Sequence, residues 1–215
     1  MRNTAADDYA EQAAFFAHEI KNPLAVIKAN VQLIELDNKG ENQKSFEAVY
    51  AGIEKINRLI QENMEIIKTS ERKRSDVVQI INKIVDKYSV SSKRVFRIDT
   101  KTKKVLVDCR RELIESLFEN LIKNAVEATE DGDLILTEIK LLHKKVSISV
   151  SDTGCGISDK DIARIGELFY TTKKGGNGVG LFMCKRIVEQ NGGKFKITHN
   201  KPKGTKVIVE LNTIV

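Results

Sequence analysis

A histidine beside a glutamate, a pair of asparagines and two glycine boxes are the residues whose types and spacing could do chemistry in this chain. In Phe15-Phe16-Ala17-His18-Glu19-Ile20-Lys21-Asn22-Pro23-Leu24, His18 lies two residues past Phe16, about 200° round a helix, so it faces away from the apolar side. Asn22 follows at i+4 on the same face, and Glu19 adjoins the imidazole. An exposed imidazole with a carboxylate neighbour is a nucleophile with a base to orient it and take its proton. An ordinary surface histidine fits the same pattern. Pro23, one of only two prolines, removes a backbone hydrogen bond inside that helix and loosens it there.

Asn120 and Asn124 stand one helical turn apart in Glu119-Asn120-Leu121-Ile122-Lys123-Asn124-Ala125, with Glu127 near the same face. Amide oxygens can hold a hard cation such as Mg²⁺, which keeps waters and phosphates as its other ligands; paired surface asparagines explain the spacing equally well. Asp152-Thr153-Gly154-Cys155-Gly156-Ile157 follows a strand pattern directly. A carboxylate at a strand end can accept from an exocyclic amine, and glycines let a flat base approach the backbone. Gly175-Gly176-Asn177-Gly178-Val179-Gly180-Leu181 opens a helix, where backbone N–H groups attract phosphate. It is neither a Walker loop nor a dinucleotide fingerprint in context. Between the boxes, Phe169-Tyr170-Thr171-Thr172-Lys173 offers a lid, a hydroxyl and an ammonium for terminal phosphates, or an ordinary surface loop.

These groups need elements to hold them. Phe16, Ile20, Leu24, Ile27, Val31 and Ile34 recur at steps of three and four, as do Phe46, Val49, Ile53, Ile56 and Ile60, with Ile67 seven further on. Asp37-Asn38-Lys39-Gly40 separates the two stripes. The pattern predicts an antiparallel helical hairpin, which cannot bury both stripes alone, so a homodimeric four-helix bundle is expected. Glu71-Arg72-Lys73-Arg74 is the expected boundary and hinge, dividing the chain into 1–72 and 73–215. Beyond it Ser75 or Asp76 can cap a helix carrying Val77, Ile80, Ile81, Ile84 and Val85. A second helix is expected over 110–130 and a third over 179–190. Strands are expected at 95–98, 104–107, 134–140, 145–150, 195–198 and 206–211. That is an α+β chain: a helical hairpin followed by an α/β sandwich.

Among 215 residues, 41% are hydrophobic and 31% charged, and 36 Lys plus Arg against 30 Asp plus Glu leave a net charge of +6. This is a folded composition, mildly basic, suited to an anionic ligand without requiring nucleic acid. No apolar run is long enough for a membrane span, and no secretory leader is evident. Cys109, Cys155 and Cys184 are too scattered for a disulfide framework or zinc knuckle, and a reducing cytoplasm is expected.

Taken together and in order, these pieces resemble the cytoplasmic core of sensor histidine kinases of two-component systems. His18 to Leu24 is similar to their H box, Asn120 to Ala125 to the N box, and Asp152 to Ile157 to the first glycine box. Phe169 to Lys173 is similar to the F box, Gly178-Val179-Gly180-Leu181 to the second glycine box, and Gly204-Thr205 to the short glycine segment before the last strand. Thr171-Thr172-Lys173 with a short lid resembles the nitrogen-regulation and sporulation kinase subgroup. The resemblance implies a dimerisation and phosphoacceptor hairpin followed by a GHKL-type ATP-binding domain of the Bergerat fold. It implies that His18 takes the γ-phosphate of ATP, with Glu19 as adjacent base and Asn22 positioning water for a phosphatase reaction. Asn120 and Asn124 would organise Mg²⁺ and phosphates, and Asp152 the adenine amine, in a pocket shaped by Gly154 and Gly156. Thr172, Lys173, Gly178, Gly180 and Thr205 would complete the nucleotide site. The implied partner is a response-regulator receiver domain, whose aspartate takes the phosphoryl group. Family members carry a sensing domain or membrane segment ahead of the H box. Here about seven residues precede the first helix, which implies either a missing upstream part or sensing through a separate partner. The alternative is an ATP-binding regulatory or interaction protein of the same ATPase superfamily, without autokinase activity; His18 and Glu19 on a dimerising hairpin distinguish the two.

Overall fold

The computed structural model describes residues 24–25, 27–29, 31–36, 43, 46–47, 49–54, 56, 74–167, 170–173, 176 and 178–214. The chain divides into two units, Met1–Ser70 and Glu71–Val215. Every described residue of the first unit is helical. Lys28 pairs with Glu54 at 3.2 Å, and the Tyr50 hydroxyl donates to Glu35 at 2.7 Å. Ascending numbers in one stretch meet descending numbers in the other, which is the antiparallel hairpin expected. Leu24, Phe46 and Ile53 are buried, whereas Ile27, Ile34, Val49 and Ile56 are 41–55% exposed. His18, Glu19 and Asn22 lie outside the described residues, as do Glu71, Arg72 and Lys73 of the expected hinge.

The second unit runs β1 (Arg74–Asp76), α1 (Val77–Ser91), β2 (Val95–Thr100), β3 (Leu106–Asp108), α2 (Arg111–Ala128), β4 (Leu134–Leu142), β5 (Lys145–Asp152), α3 (Asp159–Ile162), α4 (Gly180–Gln190), β6 (Lys194–His199) and β7 (Thr205–Asn212). Asp76 caps α1 by accepting from the Val78 N–H at 3.1 Å, one of the two caps expected. The α1 and α2 cores follow helix periodicity: Val77, Ile80, Ile81, Ile84 and Val85 are buried in the first, Ile114, Leu117, Phe118, Leu121, Ile122 and Ala125 in the second. Each of these Val, Ile, Leu and Phe side chains contributes about 1.5–3 kcal/mol relative to exposure.

The five-stranded sheet has the order β2-β4-β5-β7-β6. β2 and β4 are parallel, and every other neighbouring pair is antiparallel. A parallel pair needs a crossover, and α2 supplies it. Ile135, Thr137 and Ile139 of β4, Val146, Ile148 and Val150 of β5, and Val209 and Leu211 of β7 are buried. Side chains alternate across a strand, so Glu138, Lys140, Ser149 and Lys206 share the opposite face. There Glu138 bonds Lys140 and Lys206 at 2.7 Å each and Ser149 at 3.1 Å.

Two elements depart from the expectation. Arg74, assigned to the charged break, opens β1, and the strand expected at 104–107 is Leu106–Asp108, which pairs with β1 rather than the main sheet. A three-residue strand carries no readable period, and its partner lies about thirty residues away. The single-turn α3, capped by Ser158, is likewise too short to show one.

Candidate nucleotide-binding site

The end of β5, the start of β7, the second half of α2 and the start of α4 meet at one end of the sheet. Asp152, the last residue of β5, is buried to 5% exposure. Its Oδ1 accepts the Gly154 N–H at 3.0 Å and the Thr205 N–H at 3.2 Å. Burial pushes the Asp152 carboxyl up, while those two donors pull it down. Both donors reach Oδ1, so the second oxygen is not used by them. An acceptor at a strand end beside a glycine turn suits an exocyclic amine.

The glycines there have steric reasons. A Cβ on Gly154 would stand 2.0 Å from the Ala128 carbonyl oxygen, and one on Gly204 would stand 1.9 Å from the Asp152 carbonyl oxygen. The Cys155 N–H donates to Ala128 O at 2.9 Å, so the end of α2 and the glycine turn are welded together. A Cβ on Gly156, at φ +75°, would lie 3.5 Å from the Gly204 carbonyl oxygen.

On α2, Asn120 donates its amide to Ser116 O at 2.9 Å. Its Oδ1 is therefore turned towards α4, where a Cβ on Gly180 would come within 2.9 Å of it. Gly178, at φ +66°, leads the chain into α4 through a conformation that favours glycine. Lys173 Nζ donates to Asn124 Oδ1 at 2.9 Å and to Glu127 Oε2 at 2.6 Å, bringing the lid segment onto α2. Thr172 is exposed beside it. Tyr170 anchors the same segment by donating to Asp161 of α3, with the Arg164 guanidinium 4.1 Å over its ring. Two amide oxygens near a helix start and an ammonium fit a Mg²⁺–triphosphate group. Among the described residues no cluster of three or more His, Cys, Asp or Glu could hold a metal.

The structure links the residues singled out in the sequence in three groups along the second half of α2: Asp152 with Gly154 and Thr205 at the Ala128 end, Asn124 with Lys173, which follows Thr172, and Asn120 with Gly180, which follows Gly178, while Gly156 lies against Gly204. Phe169 and Gly175 lie outside the described residues. Two supports had no role in the sequence reading. Asn200 donates to the Asp152 carbonyl at 2.8 Å. Thr153 Oγ1 accepts from Leu134 N at 3.0 Å and donates to Asp133 at 3.1 Å. Neither has a spacing signal, because each acts on residues far along the chain. His143 falls in the β4–β5 turn, and His199 pairs with Asp159 at 2.8 Å. Cys184 is buried against Leu117 O at 3.6 Å, and burial raises its thiol to about 12.

The "His Kinase A (phospho-acceptor) domain" model matches residues 9–72, and the "Histidine kinase-, DNA gyrase B-, and HSP90-like ATPase" model matches 109–214. Sporulation kinase D of Bacillus subtilis (strain 168) is 32% identical over 206 residues, covering 93% of this chain and 41% of the relative. Sporulation kinase E of the same organism is 30% identical over 201 residues, 91% of this chain and 27% of the relative. The chain therefore spans less than half the length of these two relatives. The catalytic domain of histidine kinase ThkA matches at 27% identity and a TM-score of 0.60, over 66% of this chain and 95% of that one. A solved complex of ThkA with the response regulator protein TrrA matches 95% of this chain at 24% identity and a TM-score of 0.62, covering 61% of that chain and showing a shared fold. No helix among the described residues is long and apolar enough to cross a membrane. With a phosphoacceptor module, an ATPase module behind it and sporulation kinases among its relatives, the chain belongs to the sensor histidine kinase family.

Proposed function

We propose that this chain is an ATP-dependent autokinase that phosphorylates His18 and passes the phosphoryl group to an aspartate of a response-regulator receiver domain. The observation that carries the reading is the residue set at the sheet end, a buried acceptor at Asp152, amide oxygens on α2 and an ammonium at Lys173, in a chain whose residues 9–72 match a phosphoacceptor module. Residues 1–72 serve dimerisation and phosphate acceptance, and 73–215 bind ATP.

In this reading Asp152 accepts from the adenine amine, and Gly154 and Gly156 let the turn pack closely against Ala128 and Gly204 so that it holds that shape. Asn120 and Asn124 would hold Mg²⁺, which when bound neutralises phosphate charge. Lys173, Thr172, Thr205 and the backbone at Gly178 and Gly180 orient the phosphates. A ring nitrogen of His18 attacks the γ-phosphorus, the bond from that phosphorus to the β,γ-bridging oxygen breaks, and ADP leaves. Glu19 takes the imidazole proton, so the phosphohistidine forms without a stranded charge. Positioning and charge neutralisation carry the step rather than covalent work by the ATP domain. Asn22 positions water for the reverse traffic, dephosphorylation of the receiver. The exposed Ile27, Ile34, Val49 and Ile56 supply the face for a second copy. The setting proposed is the cytoplasm.

The direct test is incubation with γ-labelled ATP and Mg²⁺ beside His18→Ala. Acid-labile, alkali-stable label that vanishes in the variant is expected. ATP binding without label in the unaltered protein would favour an ATP-controlled regulator instead.

A further inference from the structure

Glu127 lies seven residues after Asn120 and three after Asn124, so all three share one face of α2. Lys173 reaches that face from the lid segment, donating to Asn124 Oδ1 at 2.9 Å and to Glu127 Oε2 at 2.6 Å. The backbone ties of Lys173 are local. Its N–H donates to Thr171 Oγ1 at 3.1 Å, and its carbonyl accepts from Gly176 N at 3.0 Å. They shape a turn without fixing it to α2, so the side-chain pair sets where the ammonium stands.

Glu127 and Lys173 side chains are 42% and 41% exposed, and a pair so exposed adds little to stability. Glu127 Oε1 also stands 4.0 Å from Lys123 Nζ on its own helix, so the carboxylate has a cation nearby without Lys173, and the shorter 2.6 Å contact to the lid segment is not needed to neutralise it. Both points argue that the pair is there to place a charge. An ammonium has three N–H donors. Among the described residues two are engaged, both by α2, and one remains for a ligand.

We propose that Glu127 is a positioning residue: its carboxylate holds the Lys173 ammonium beside Asn124, so that the third N–H is presented to the terminal phosphate and ATP is favoured over ADP. Glu127 acts through Lys173 and does not touch the nucleotide. The inference rests on the nucleotide-site reading above.

The test is calorimetric titration of the full chain with ATP and with ADP, each with Mg²⁺, for the unaltered protein, Glu127→Ala, Glu127→Gln, Lys173→Ala and the Glu127→Ala/Lys173→Ala double variant. Each single alanine variant should weaken ATP about fivefold and ADP less than about twofold. The double variant should bind ATP no worse than Lys173→Ala, because the two residues act as one unit. Glu127→Gln, which keeps an acceptor, should recover part of the loss, and melting temperatures should match the unaltered protein. The proposal is overturned if Glu127→Ala leaves the ATP/ADP ratio unchanged, tightens ATP, or multiplies with Lys173→Ala, or if a lowered melting temperature accounts for the loss. An unaltered protein that binds neither nucleotide would refute the site reading itself; one that prefers ATP while ignoring Glu127→Ala refutes this inference alone.

Discussion

Replacing Asp152 with Asn separates reading the nucleotide from holding the turn. The amide keeps one oxygen for the Gly154 and Thr205 N–H groups, now at 3.0 and 3.2 Å from Oδ1. It presents an NH₂ where the second carboxylate oxygen was, and a donor cannot pair with the donor of an exocyclic amine. A hydrogen bond to a charged group contributes about 1.5–3 kcal/mol, so nucleotide affinity should fall about ten- to a hundredfold. Stability should move the other way. Burial raises the Asp152 carboxyl above its ordinary value, so the folded state holds its proton more tightly than the unfolded state. Stability from this group is full below the unfolded value and lost as pH rises through the folded one. At neutral pH the charged carboxylate carries a cost that an amide lacks. Asp152→Asn should therefore melt at or above the unaltered protein in the absence of nucleotide, and lose the stabilisation that added ATP gives by mass action. Thermal melts with and without ATP read both. A lower melting temperature with unchanged ATP affinity would show that Asp152 is only a brace for the turn.

Gly204→Ala places a methyl 1.9 Å from the Asp152 carbonyl oxygen at a φ of +102°; urea unfolding should show a loss above about 2 kcal/mol, and ATP binding should weaken with it. Glu138, held by Lys140, Lys206 and Ser149, has its carboxyl lowered from 4.5 to about 2. That shift sets a ceiling of about 3 kcal/mol, and with the Lys140 partner 65% exposed solvent screening leaves about 1–2 kcal/mol. The contribution is present above the unfolded value and lost as pH falls from 4.5 towards 2, so Glu138→Gln should be weaker at pH 7 and match the unaltered protein in strong acid. Ile34, 55% exposed in the isolated chain, should on replacement by Asp shift sedimentation from dimer to monomer, with the second unit's melting unaffected.

Residues with a local physical signature were legible from sequence. The helix cores of α1 and α2 repeat every three to four residues, Asp76 stands where a cap is needed, and Gly154 and Gly156 follow a strand end. What escaped was non-local. β1 exists because Arg74, Ser75 and Asp76 find β3, with Ser75 Oγ donating to the Cys109 carbonyl at 2.6 Å. Asn200 matters because the β6–β7 turn folds back onto β5, which no run of residues around it announces. Glu127 was visible as a neighbour of the asparagines, but its bond to Lys173 joins positions 46 apart.

The central helix ties the candidate residues together. α2 buries Leu117, Leu121, Ile122 and Ala125 against the sheet and neighbouring helices while Asn120, Asn124 and Glu127 occupy the remaining arc. Its last carbonyl takes the Cys155 N–H, and Asn120 limits how closely Gly180 can carry a side chain. The rotation of α2 is therefore set by core packing, which tolerates little displacement, and the glycine turn after Asp152, the amide oxygens and the start of α4 inherit that rotation. A substitution such as Leu121→Ala should then do more than cost the about 2–5 kcal/mol of a core cavity. By loosening the helix that all three share, it should weaken nucleotide contacts at both ends, so that ADP affinity falls along with ATP affinity. That shared loss would contrast with the ATP-selective loss expected of Lys173→Ala, where ADP is nearly unaffected, and isothermal titration with both nucleotides tells the two apart.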